Sequence, residues 1–322
     1  MATGYLQGRS VYIDRHLSNV AINYRPSGFI AQDIFPIVNV DRQSGLIKTY
    51  ESADLYRSEN DRRSPGYTAN QLDVQVGSSS YICNNYALRM STTIEDRGNA
   101  DPAFIADTEQ NRSMFIMDKL LLNWDVRAST LAFNTSNVGT STAVASAWTD
   151  YNNSDPWSDI LTMCDNVEGL TGYKPNRAVF GLESFRNFSR NDVVIDKIRQ
   201  TGVAGGGQSA SIRDAEALLQ MDKVLVGNGY YNTAEEGIAQ SLTPIWGDSV
   251  LVYYAPERPS VDRPSFGYSF RWNKRGIPNM TVERHPYNSL TKSDDIEIGY
   301  YQDEAVIASN LGALITNVTS ST

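Results

Sequence analysis

Apolar residues recur at steps of three and four through the middle of the chain, at Met114, Met117, Leu121, Trp124, Ala128 and Leu131. This spacing lays one apolar stripe along several turns and predicts an amphipathic helix from about Pro102 to Asn134. Asp118, Asp125 and Ser129 fall largely off the stripe. Two signals mark its start: Asp101 can accept backbone N–H bonds as N-cap, and Pro102 occupies the first turn, where no donor is missed. Such a helix would be ~50 Å long, whereas globular helices average ~11–12 residues. That is too long to cross one ordinary domain without projecting past its core, so a scaffold role is expected, with cover supplied from outside the chain.

Around this helix the pattern is shorter-ranged. The first 40 or so residues alternate small apolar groups with Pro26, Gly28 and Pro36, which reads as an extended arm rather than a packed unit. Strand-like stretches at Gly45–Tyr50 and Leu72–Met90 flank a charge-dense tip with a Pro65-Gly66 turn, predicting a long hairpin. Arg57, Glu59, Asp61, Arg62 and Arg63 on that tip are candidate inter-subunit contacts, although mixed charges at this density also suit a solvated loop. Residues 134–151 are poor in apolar groups and read as a linker. A second helix is predicted from an Asp155 cap and Pro156, with Ile160, Cys164 and Val167 as its stripe and Gly172 as its end. Then come a strand at Arg177–Phe180, a helix near Glu183–Ser189, a Gly-rich loop at 202–207, a helix at Ile212–Met221, and strands at Val224–Val226 and Val250–Tyr254. That alternation predicts a compact α/β unit. The C-terminal part returns to period two, with Phe266, Tyr268, Phe270 and Trp272 and then Ile296, Ile298 and Tyr300, in strands expected to pair near the long helix.

Composition sharpens this picture. With 322 residues, 41% hydrophobic and 20% charged, the chain can bury a substantial core. A net charge of −9 argues against a protein that grips DNA, since phosphate binding needs a basic face. Only seven of the 28 cations are Lys, and Tyr outnumbers Phe by 18 to 10, a balance suited to surfaces that become buried on assembly. Cys83 and Cys164 lack C-x-x-C spacing and read as buried free thiols of a reducing compartment. No secretory signal is visible and nowhere do ~18 apolar residues run together, so no membrane partner is expected.

Candidate chemistry is sparse. Neither His16 nor His285 sits in a metal or triad spacing, the 202–207 loop lacks the Lys-Ser/Thr ending of a phosphate loop, and Ser184 makes no nucleophile elbow. The acid pairs Asp294/Asp295 and Glu235/Glu236 are the residual candidates for acid–base work. No catalytic residue, metal site or cofactor is assigned.

The order of parts resembles the major capsid protein of tailed bacteriophages, the Hong Kong 97-type fold. The resemblance rests on Gly28 to Val40 (GFIAQDIFPIVNV), Ser44 to Tyr50 (SGLIKTY), Gly172 to Val179 (GYKPNRAV) with Phe185 after it, Val224 to Asn232 (VLVGNGYYN) and Ile245 to Asp248 (IWGD). It implies an α+β subunit: an N-terminal arm over 1–40, an extended β-hairpin loop over 41–90, a peripheral domain of 91–151 and 257–322 with a spine helix at about 102–134, and an axial domain over 152–256. Loops near Gly202–Gln208 and Asn228–Gly237 would then be candidates for the capsomer centre. The implied function is self-assembly into pentamers and hexamers of an icosahedral shell around double-stranded DNA, in a virion assembled in the host cytoplasm. Implied partners are further copies of the chain, a portal, and a separate scaffolding or decoration protein, with weak nonspecific contact to the packaged DNA. The Lys–Asn crosslink of some relatives finds no matching residues, so none is expected. Alternatives are a bacterial nanocompartment shell of the same fold, a cofactor-independent carboxylate hydrolase using the acid pairs, and a tail or adhesion protein binding saccharides through Trp148 and Trp157.

Overall fold

The computed structural model describes residues 12–13, 28–50, 58, 61–66, 68–69, 76–99, 102–201, 209–260, 263–273 and 280–319. In chain order the helices and strands are β1 (Tyr12–Ile13), α1 (Ala31–Ile34), β2 (Ile37–Val40), β3 (Ser44–Tyr50), β4 (Val76–Ile82), β5 (Asn84–Thr93), α2 (Ile94–Asn99), α3 (Pro102–Ala132), β6 (Thr140–Ala143), α4 (Pro156–Thr171), β7 (Arg177–Gly181), α5 (Leu182–Arg190), α6 (Asp192–Thr201), α7 (Ile212–Leu219), β8 (Lys223–Gly227), β9 (Tyr230–Asn232), β10 (Leu242–Pro244), β11 (Val250–Tyr253), β12 (Gly267–Trp272), β13 (Thr281–Asn288), β14 (Ser293–Val306) and β15 (Gly312–Thr316).

One sheet has five strands in the order β6-β15-β11-β7-β8, with β6 and β8 joined in parallel and the central pairs antiparallel. Its three inner strands, β15, β11 and β7, are apolar at nearly every position because both faces are covered, whereas the edge strand β6 is polar and largely exposed. Ala178, Phe180, Val250, Val252, Ala313 and Ile315 face a layer built from α4 to α7, led by Ile160, Met163 and Val167 of α4. Val179, Leu251, Tyr253 and Leu314 face the opposite way, toward Trp124, Ala128 and Ala132 of α3 and Ile34 and Phe35. Helix α4 starts and stops as its sequence predicts: the Asp155 carboxylate accepts from the Ser158 amide, Pro156 opens the first turn, and Gly172 closes it at φ 71°. Strands β6 and β15 lie outside 152–256 in sequence, yet complete this sheet beside β11.

The second sheet runs β1-β13-β14-β12-β2, with β5 also paired to β14. Ile116, Met117 and Leu120 of α3 pack on its Val282, Ile296, Ile298 and Tyr300. Over its described side chains, from 111 onward, α3 packs on two cores of this chain, while the side chains of 102–110, on which the expected projection past the core also turns, lie outside the described residues. The helix is long because it serves two cores in succession, the six-stranded sheet through 116–120 and the five-stranded sheet through 124–132. Its buried face includes Ser113, Leu120, Asp125, Ser129 and Ala132, so Asp125 and Ser129 belong to the stripe from which the apolar pattern excluded them. The Asp101 cap lies outside the described residues.

The N-terminal reading is also corrected, for residues 30–40. Ile34 and Phe35 are wholly buried, Phe35 lies 6.0 Å from Phe266, and β2 adds to β12 in parallel register. Short apolar runs broken by Pro36 look like an arm, but here the breaks mark a one-turn helix followed by a strand. The predicted long hairpin is divided: β3 and β4 pair over Ser44↔Ile82 to Tyr50↔Val76, and after Cys83 the chain joins the other sheet as β5.

Candidate assembly interface

Strands β3 and β4 form a two-stranded ribbon, a unit marginally stable alone in water, so its root must be fixed to the body. Strand alternation does this. Ile47 and Tyr81 point inward among Val38, Val40, Cys83 and Phe270, with Tyr81 stacked on Phe270 at 5.0 Å. Polar ties surround them: the Cys83 amide donates to the Gln43 carbonyl (2.8 Å), the Tyr81 hydroxyl to the Arg42 carbonyl (3.3 Å), and the Ile82 amide to Asp303 Oδ2 (2.9 Å). Burial raises the Asp303 carboxyl above its ordinary range, against that amide, and burial pushes the Cys83 thiol to about 11. Leu46 and Ile82 are diagonal neighbours on the opposite face, 74% and 58% exposed.

Of the candidate contacts at the ribbon's tip, Arg57 and Glu59 lie outside the described residues. Asp61, Arg62 and Arg63 are exposed in irregular backbone ahead of the Pro65-Gly66 turn.

A second exposed element is the β9–β10 hairpin, whose three-residue strands were too short to read in the sequence. Asn232 braces it: the side-chain oxygen accepts from the Ala234 and Ser241 amides at 3.1 and 2.9 Å. Its apex carries Glu235 and Glu236, turns at Gly237 (φ 88°), and exposes Ile238. The 202–208 loop lies outside the described residues.

The root of this hairpin is tied to α3 through Asp125. The wholly buried carboxylate accepts from Trp246 Nε1 at 2.7 Å, and from the Ile30 and Ala31 amides at 3.0 and 2.8 Å. It thereby caps α1, which has no cap of its own, across 95 residues of sequence. Burial raises its pKa to about 6, against the lowering effect of the Trp246, Ala31 and Ile30 bonds.

Two residues on from Asp125, from another face of α3, a polar network joins the helix to the six-stranded sheet. Arg127 meets Glu304 at 3.3 Å through Nε and 3.0 Å through Nη2, and lies 3.8 Å from the Tyr86 ring centroid. Glu304 accepts from Gln302, whose carbonyl oxygen accepts from the buried Arg271. These residues carried no sequence signal beyond the high Arg content. Helix α6 was also missed, though Asn191, accepting from the Val193 amide, followed by Val194 and Ile198 four apart, marks it.

Of the residues considered for chemistry, the structure sets His285 opposite Asp295 across β13 and β14, and places Glu235 and Glu236 on a separate hairpin. Asp295 pairs with Arg89 at 3.4 Å, His285 Nε2 lies 3.0 Å from Glu297, and Glu235 and Glu236 are exposed on the β9–β10 apex. His16 is outside the described residues. Trp148 is fully buried and donates to Asp159, and Trp157 packs beneath Lys197, so the saccharide reading loses the exposed indoles on which it rested. Among the described residues no group of three or more His, Cys, Asp or Glu could hold a metal, and no helix is long and apolar enough to cross a membrane.

No protein-family model matches the chain. A phage-related protein from Bordetella bronchiseptica RB50 superposes with a TM-score of 0.75 at 23% identity, over 97% of this chain and 99% of that one. The capsid of cyanophage P-SCSP1u gives 0.60 at 10% identity, over 91% and 88%. The chain has the Hong Kong 97-type capsid fold. Along this capsid fold the sequence is 24% identical over 318 residues to the major capsid protein of Burkholderia phage BcepMu, covering 95% of the chain and 96% of the relative. The major capsid protein of Pseudomonas phage JBD67 is 23% identical over 323 residues, covering 96% and 97%.

Proposed function

We propose that this chain works as the major capsid protein of a tailed bacteriophage, a structural subunit that assembles with copies of itself into an icosahedral shell. The observation that carries this reading is similarity from end to end: both phage relatives match over more than nine-tenths of their own length as well as of this chain. The finer assignments follow from it. Subunits group as pentamers and hexamers around double-stranded DNA, in the virion, after assembly in the host cytoplasm with a portal and a separate scaffolding or decoration protein. The five-stranded sheet with α4 to α7 serves as the axial part, and the six-stranded sheet as the peripheral part. The β3–β4 ribbon, with Arg57, Glu59, Asp61, Arg62 and Arg63 toward its tip, reaches a neighbouring copy. An acidic chain keeps the enclosed genome loosely held.

Negative-stain microscopy and sedimentation of the expressed chain, with and without a candidate scaffold, test this. Closed shells are expected; a strict monomer under every assembly condition overturns it. A nanocompartment shell is the second reading, favoured by one neighbour, the encapsulin complex of Synechococcus elongatus PCC 7942, at a TM-score of 0.52. Particle contents separate the two, nucleic acid for the first and a cargo enzyme for the second.

A further inference from the structure

The setting of Asp125 has a consequence independent of shell formation. Its carboxylate joins three pieces of chain: α3, the start of α1, and the loop carrying Trp246. All three donors are neutral N–H groups. Asp118, a like charge two turns back on α3, has Oδ1 buried without a partner, while the other charged groups flanking these three pieces are engaged elsewhere. Asp33 of α1 pairs with Lys223 at 2.8 Å, and its carbonyl accepts from Arg177 and Tyr253. Asp248, after Trp246, accepts from Thr319. On α3 itself Arg127 is bound to Glu304. The Gly229 backbone closes the remaining side, where a Cβ would come within 3.5 Å of Asp125 Oδ2. Tyr230 and Tyr231 follow it in β9.

A buried ion without a counter-charge carries a desolvation penalty that vanishes when the group is exposed or protonated. We infer that Asp125 is a proton-sensitive clasp, which holds the 30–34 segment and the Trp246 loop on α3 more firmly when protonated than when ionised.

Burial lifts Asp125 from 3.8 to about 6 with the clasp closed. Between these values the closed state binds the extra proton. Closure is therefore favoured most below pH ~4 and weakens as pH rises through 6, levelling off above. Between pH 5 and pH 7 this linkage weakens closure about tenfold.

Hydrogen exchange of the unassembled full-length chain at pH 5, 6 and 7, corrected for intrinsic rates, reads the effect in peptides covering residues 29–36. About tenfold greater protection at pH 5 than at pH 7 is expected, and Asp125→Asn should flatten the profile to under twofold. Trp246→Phe removes a donor that favours the ion, so its profile should keep its shape and move to higher pH. The proposal is overturned by protection that is flat or rises with pH in the native chain, or by an unmoved Trp246→Phe profile. The measurement needs no shell, so its outcome stands apart from the capsid reading.

Discussion

Replacing Gly227 by alanine should be among the more damaging single methyl additions in this chain. A Cβ there would stand 2.2 Å from Trp246 Cγ and Cδ1 and 2.6 Å from its Cβ, whereas carbon atoms rest at about 3.5–4.0 Å. One side must retreat by more than about 1 Å. Trp246 has little freedom to do so: it is wholly buried, its Nε1 is bonded to Asp125 at 2.7 Å, and Phe133 meets it edge-on at 5.3 Å. Gly181, beside Gly227 in register, lies against the Gly247 carbonyl, which blocks the other route. Overpacking of this kind costs ~1–3 kcal/mol, and weakening a bond to a buried carboxylate adds ~1–3. A loss of ~2–6 kcal/mol follows, or a fall of ~0.7–2 M in the urea midpoint at an m of ~3 kcal/mol/M. Urea titration of the full chain followed by circular dichroism measures it. In a Trp246→Leu background the added methyl has room, so the double-mutant cycle should show a coupling of at least ~1 kcal/mol. An unchanged midpoint for Gly227→Ala, or an additive cycle, would refute the clash.

Other expectations can be tested on the same protein. Leu46→Lys, on the outer face of the ribbon, should leave subunit stability within ~0.5 kcal/mol while lowering shell yield in sedimentation; equal yields would remove that face from assembly. Burial pushes both the Cys83 and the Cys164 thiol to about 11, so Ellman's reagent at pH 8 should find neither until urea unfolds the chain. Trp148→Phe deprives the Asp159 carboxylate of its 2.9 Å indole donor and should cost ~1–3 kcal/mol in the same titration. Gly172→Ala, at φ 71° on the end of α4, should cost ~1 kcal/mol, and the loss should disappear with Gly172→Asn.

What the sequence disclosed was local in origin. The ends of α4 were legible because Asp155, Pro156 and Gly172 act on their own neighbours, and α3 because its stripe repeats over many turns. The strands at 296–300 were legible through alternation, one face of β14 being apolar and the other mixed. What stayed hidden depends on distant partners. Asp125 looks like a solvated helix residue until residues 30–31 and Trp246 arrive from far along the chain. Residues 30–40 look like a loose arm until β12 supplies a strand to pair with. Membership of β6 and β15 in the sheet around β11 is likewise a matter of pairing, which no composition shift at 151 or 256 reports.

Because α3 is held by both sheets, it behaves as a lever. At ~1.5 Å per residue the centres of its two anchored stretches, near residues 118 and 128, lie roughly 15 Å apart, so a tilt of ~5° about one moves the other by about 1 Å. A small twist imposed on one sheet by packing must therefore either reach the other as a displacement of about 1 Å, which a close-packed core resists, or bend the rod. Surface curvature in an array of such molecules would be governed by the stiffness of that single rod, and a kink-forming substitution in the stretch between its two anchorages, at 121–123, should broaden the range of radii the array can adopt.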